Sequence, residues 1–114
     1  MFDFEKLNVY KKSKVFHSSI QGLLNSINLD SITRNQLSRA SLSIVLNIAE
    51  GSGRNSKRDK RHFFVISRGS VFECIAILDV IKDDNKIDSE AFSTFYNAGE
   101  ELSKMLFAMT KSLE

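Results

Sequence analysis

Residues 36–61 read QLSRASLSIVLNIAEGSGRNSKRDKR, and the reading of that stretch decides the fold. As far as Glu50 it is apolar at helical spacing. On a wheel of about 100° per residue, Leu37, Ala40, Ile44 and Ile48 form one stripe. Leu42, Val45, Leu46 and Ala49 form a second beside it, and Arg39, Ser43, Asn47 and Glu50 form the polar remainder. A surface helix of a lone bundle needs one apolar stripe. Two predict burial on two sides, and in a chain of 114 residues the second side is expected to face another subunit. Gly51 follows the last periodic residue, where a residue without Cβ can take the left-handed conformation that ends a helix. Ser52-Gly53-Arg54-Asn55 then makes a short turn. Ser56 is suited to cap the next helix, with Asp59 three residues on in the place of a capping-box acid. So short a turn makes the flanking helices antiparallel neighbours.

Upstream, a first helix is predicted from about Phe4 to Ser26, where Leu7, Tyr10, Phe16, Ile20, Leu23, Leu24 and Ile27 recur at helical spacing. Lys11, Lys12 and Lys14 lie on or near the opposite side and read as a solvated face. Asn25 to Ser31 is a polar connection in which Asp30 or Ser31 can cap the second helix, Thr33 to Glu50. Downstream, a third helix is predicted from Lys57 to about Lys82. Phe63, Phe64, Val71, Cys74, Leu78 and Ile81 share one face, with Ser67 and Ser70 small enough to admit a neighbour closely. Val65, Phe72, Ala76 and Val80 form a narrower apolar strip that again suggests a partner. After Asp83-Asp84-Asn85-Lys86, Asp88 or Ser89 can cap a fourth helix that carries Phe92, Phe95, Tyr96, Leu102, Met105, Leu106 and Met109 and ends near Leu113. No strand alternation or internal repeat competes, and the absence of proline leaves long helices unbroken. The expected fold is all-α: a single domain, residues 1–114, folded as an up-down-up-down antiparallel four-helix bundle.

Composition excludes several function classes. Cys74 is the only cysteine, so there is no internal disulfide, which suits a cytoplasmic location. Two histidines and one cysteine, scattered, do not make a zinc site, and neither metal nor cofactor is expected. No apolar run reaches the roughly 18 residues that span a membrane. The opening MFDFEKL places acids before any apolar run, unlike a secretory signal. The net charge of +2 is unevenly spread. Between Arg34 and Arg68, eight basic residues face only Glu50 and Asp59, whereas from Gly69 onward acids outnumber bases nine to four. Such asymmetry points to an anionic partner or to complementary packing between like chains.

The cluster Arg54, Lys57, Arg58, Lys60 and Arg61 opens the third helix. Cations at the positive end of a helix macrodipole are destabilising by roughly 0.3–1 kcal/mol each at low salt. Five of them at one such end are not what stability alone selects. They suit a phosphate backbone, which basic residues neutralise with counterion release. A solvated, solubilising helix end is the competing reading. Phe63 and Phe64 fit the core rather than base stacking, so contact with RNA or DNA is expected at the backbone, through these residues and Arg39. Asn47, Glu50 and Arg39 could form a polar network, better suited to structure than to catalysis. No catalytic residues are assigned. His62 follows Arg58 too closely, and Arg54 too distantly, for the Arg-to-His spacing of small helical ribonucleases. No phosphate-binding glycine loop or metal-binding His pair occurs. The chain is expected not to be an enzyme.

Three segments, LNVYKKS (Leu7 to Ser13), QLSRASLSIVLNIAEGSGR (Gln36 to Arg54) and FVISRGSVFE (Phe64 to Glu73), resemble the four-helix-bundle proteins encoded in intervening sequences of bacterial 23S ribosomal RNA genes. The resemblance spans nearly the whole chain, and its most specific part is Asn47 to Arg54. It implies a ring-like homopentamer of up-down bundles. The family is similar in turn to accessory proteins of diversity-generating retroelements, which bind nucleic acid and a reverse transcriptase through a basic surface. That likeness implies a nucleic-acid or protein partner. Ser38 stands where the family commonly has a second basic residue before the alanine, and Val45 where it often has proline. Leu42, Val45, Leu46, Ala49, Val65 and Phe72 are the expected oligomer interface.

Overall fold

A computed structural model describes residues 1–114. Four helices account for nearly all of them: α1 (Asn8–Ser26), α2 (Ser31–Ser52), α3 (Lys57–Asp83) and α4 (Ser89–Ser112). They form a bundle 44 Å long and 23 by 21 Å across. Each helix packs against two others in the cyclic order α1, α2, α3, α4, and the backbones of the diagonal pairs stay apart across the core. The expected all-α four-helix bundle is observed. One end of it holds the α2–α3 turn and both chain termini; the other holds the α1–α2 and α3–α4 connections.

The core follows the helical period. Leu37, Ile44 and Ile48 of α2 meet Ile20 of α1, Cys74 and Leu78 of α3, and Leu106 of α4, all fully buried. Polar groups cross-link the helices where side chains are small. Ser67 is fully buried and its hydroxyl donates to the Ile44 carbonyl at 2.8 Å, drawing α3 against α2. Ser41 meets His17 Nδ1 at 2.7 Å, and Gln21 donates to the Ser38 hydroxyl at 2.8 Å, tying α1 to α2.

The helix ends carry the predicted caps. Asp30 accepts from Thr33 N–H at 3.0 Å, Ser56 from Asp59 N–H at 3.0 Å, and Asp88 from Ala91 N–H at 2.7 Å. Each satisfies one of the amide groups that a helix start leaves unbonded. The same amide bond holds the Asp30 carboxyl below its usual value. At the opposite ends, cations from the following helix reach back to orphaned carbonyls. Arg34 donates to the carbonyls of Leu24 and Ile27, and Lys60 donates to that of Ser52 at 2.9 Å.

Three expectations are corrected. The first helix does not start at Phe4. Asp3–Lys6 is a 3-10 turn, and Leu7 at ψ 127° is extended before α1 begins. The turn is stabilised by its own contacts, Phe2 N–H to Glu5 Oε2 at 2.7 Å and the stacked rings of Phe2 and Phe4. Gly51 is not left-handed: α2 continues to Ser52, Gly53 caps it at φ −87°, and no glycine has positive φ. Gly51 instead makes room, since a Cβ there would lie 2.8 Å from Phe64 Cε1. The left-handed residue is Asn85 at φ 60°, where Lys86 N–H bonds the Ile81 carbonyl and Asn85 N–H that of Lys82, both at 2.9 Å. Those two bonds close α3 with a Schellman motif. Finally, the second apolar stripe of α2 is satisfied in part by the chain itself. Val45 lies one turn beyond Ser41, on the α1 side, and is only 6% exposed.

Cys74 is fully buried, and that desolvation, reinforced by the neighbouring Glu73 carboxylate, pushes its thiol up to about 12. A thiol that resists ionising in the folded state favours folding below its ordinary value of 9.0, and the benefit is lost as pH rises toward 12. At pH 8 the native protein should leave a disulfide reagent such as DTNB unreacted over the time in which guanidinium-unfolded chain reacts fully. Equal rates would mean that the α3 core face opens readily.

Candidate nucleic-acid interface

The α2–α3 turn concentrates the basic residues at one end of the bundle. Gly53 ends α2, with its N–H bonded to the Glu50 carbonyl at 3.2 Å, and Ser56 opens α3. Lys57, Arg58, Lys60 and Arg61 therefore occupy the first two turns of α3, and Arg54 lies in the turn itself.

Local contacts divide this cluster. Arg54 pairs with Glu50 at 3.3 Å and lies over the Phe63 ring, 4.6 Å from its centroid. Lys60 caps the end of α2. Lys57, Arg58 and Arg61 have no ion pair and no side-chain hydrogen bond within the chain. These three carry unneutralised charge beside the unbonded amides of the α3 start, where the backbone is also electropositive.

Arg39 does not join them. It stands 14 residues before Gly53 on a continuous helix, about 21 Å along the axis at ~1.5 Å per residue. There it is exposed beside a shallow polar groove, with Gln36, Ser43, Ser70 and Glu73. The polar network anticipated around Asn47 also differs. Asn47 donates to the carbonyl and hydroxyl of Ser43, which in turn meets Ser70 at 2.9 Å, and Glu50 is committed to Arg54.

Sequence reading missed an aromatic feature at this same end. Phe2, 72% exposed, stacks on Phe4, which packs edge-on against Tyr10. The only signal was the MFDF opening, which looks like an ordinary helix start. His62 is exposed, and Phe63 half-buried beneath Arg54.

Of the expected interface residues, Leu42, Leu46, Val65 and Phe72 are exposed, Ala49 is half-buried and Val45 is withdrawn into the chain. Leu46 and Val65 are level on adjacent helices, about 9 and 12 Å from the α2–α3 turn by helical rise. Leu42 and Leu46 leave apolar surface on the outer face of α2, and Val65 and Ile66, which the wheel did not single out, leave more on α3. No helix is long and apolar enough to cross a membrane. Nowhere do three His, Cys, Asp or Glu side chains converge to hold a metal ion.

A family model described as 23S rRNA-intervening sequence protein matches residues 5–108. A crystal structure from Bacteroides thetaiotaomicron, of a protein with unknown function from the S23 ribosomal protein family, is similar with a TM-score of 0.86. The match covers 90% of this chain and 98% of that one at 24% identity, a likeness that carries the fold. No curated protein matches the chain.

Proposed function

The chain belongs to the 23S rRNA-intervening sequence protein family, and from that premise we propose that it is a non-catalytic homo-oligomer that binds the backbone of RNA or DNA through the basic end of its bundle. The carrying observation is the trio Lys57, Arg58 and Arg61, which no carboxylate neutralises. Stability does not explain three free cations at the positive end of α3, where each is repelled by the helix dipole. A polyanion does. The resemblance drawn from the sequence implies a kinship with retroelement accessory proteins, and with it an expectation of nucleic-acid binding. Backbone contact without base readout makes the binding tolerant of sequence and sensitive to salt. A buried thiol and no disulfide suit the cytoplasm.

The oligomer rests on Leu42 and Leu46 of α2 and on Val65 and Ile66 of α3, apolar side chains that the folded chain leaves uncovered. In a closed ring every copy presents its basic end to the same side. Several weak sites then act together, the second and later contacts being intramolecular.

Two measurements test this reading. A gel shift with a mixed-sequence oligonucleotide should show binding at about 50 mM salt that weakens steeply by 200 mM. No shift at low salt ends the nucleic-acid reading. Light scattering should give a mass near five times 12.9 kDa, falling to a single 12.9 kDa chain in Leu42→Glu/Leu46→Glu with helical content unchanged. A wild-type monomer, or an unaffected variant mass, removes Leu42 and Leu46 as the interface. Val45 is avoided here because its burial would confound assembly with folding.

A further inference from the structure

We propose that the groove between α3 and α4 docks an amphipathic segment of another protein that carries one carboxylate among its apolar side chains. The groove holds about 660 Å³ and runs along the side of α3 turned away from α2. Its floor is Val71, Ile75 and Gly99; its rim is Phe72, Phe92 and Tyr96. Phe72 and Tyr96 are 57% and 44% exposed, a large aromatic surface to leave in water. The helices meet closely beneath, since a Cβ on Gly99 would lie 2.7 Å from Ile75 Cδ1.

Arg68 sets the chemistry of the occupant. Its guanidinium lies 5.0 Å from the centroid of Phe72 and 5.1 Å from that of Phe107, and its Nε donates to the Ser103 carbonyl at 3.2 Å and hydroxyl at 3.1 Å. Two rings and a fixed Nε hold the group in place, while both terminal nitrogens have no partner in the chain. The other charges along the groove are answered: Asp79 pairs with Lys82 at 3.4 Å, and Glu100 with Lys104 at 3.7 Å. Arg68 is thus the one groove charge without a counter-ion.

A planar, oriented guanidinium matches a carboxylate through two parallel hydrogen bonds. An occupant without an acid would desolvate Arg68 and leave it unpaired, which is costly. Phosphate would also fit the fork, but the surface around it is apolar and aromatic, which disfavours a nucleic-acid backbone. Exposed aromatics around an anchored arginine have the composition of a binding hot spot. Such a trough accepts one face of a helix, with apolar anchors at i and i+4.

The test is to pan a display library of 16-residue helical peptides against the full-length protein. The selected peptides should share an Asp or Glu flanked by large apolar residues one turn away. By fluorescence anisotropy, Arg68→Gln and the peptide's own acid-to-amide change should each weaken binding about 10-fold, and together no further. Arg68→Lys should lose most of the affinity too, because it keeps the charge but not the fork. Circular dichroism checks that each variant is folded, and Phe72→Ser, at an exposed site, supplies a second route to the same loss. An empty selection, binders without an acid, or binders indifferent to Arg68→Gln overturn the proposal. It is overturned equally if Phe72→Ser lowers the mass of the native assembly, since a second copy would then fill the groove. None of these outcomes bears on the oligonucleotide gel shift.

Discussion

Gly51→Val should lower the thermal midpoint by roughly 8–10 °C, the equivalent of about 2 kcal/mol for a domain of this size. The first added carbon would lie 2.8 and 3.0 Å from Phe64 Cε1 and Cδ1 and 3.1 Å from Phe63 Cβ. Phe64 is only 4% exposed and cannot swing away. Phe63 Cβ is fixed to the backbone of α3, so relief requires α2 and α3 to part. Parting them also strains the bond between Ser67 and Ile44 two turns along. Gly53→Ala is the control. Its nearest neighbours are the carbonyls of Glu50 and Ala49 at 3.7 and 3.9 Å, and its φ of −87° suits any residue. It should be neutral or mildly stabilising, through a less flexible unfolded chain. If the two variants melt together in a calorimeter, close packing is not the role of Gly51.

Lys57→Gln/Arg58→Gln/Arg61→Gln should reduce affinity for a single oligonucleotide by roughly 10²–10³-fold near 0.1 M salt, because each phosphate left without its cation takes about one unit from the slope of log K against log salt. The slope should fall by about 3. The variant should keep or slightly gain stability, since it removes cations from the positive end of α3. A shallower slope in a protein at least as stable as wild type separates a binding role from a structural one. Arg39→Gln, some 21 Å away by helical rise, should change affinity only a few-fold. An unchanged slope in the triple variant would leave the basic end a solubilising surface.

The sequence made the architecture legible because most of it is written in period and punctuation. The 3.6-residue repeat located the buried faces of all four helices, and Asp30, Ser56 and Asp88 marked where helices begin. Gly51 was misread because a glycine at the end of an apolar run has two physical uses, a left-handed cap and a close approach. Only the position of Phe64 tells them apart. Val45 was misread for a different reason. A helix in a four-membered ring touches two neighbours at right angles, so a wide apolar arc is needed within one chain. Only Leu42 and Leu46 exceed that need. For the site, sequence counted charges without seeing their partners. Arg34 and Lys60 serve helix ends, Arg54 serves Glu50 and Phe63, and Arg68 serves two rings on different helices. Cations aimed at carbonyls and cations aimed at solvent look alike in one dimension.

The antiparallel wiring of the bundle also has a consequence for encounter. Lys57, Arg58 and Arg61 stand at one end of a body 44 Å long, while Asp83, Asp84, Asp88 and Glu90 crowd the other, in and just beyond the α3–α4 connection. Antiparallel helices cancel most of their own dipoles, so side chains dominate the field along the long axis. The chain is in effect a charged rod with a head and a tail. Near a polyanion it experiences a torque before it makes contact, and it arrives head first.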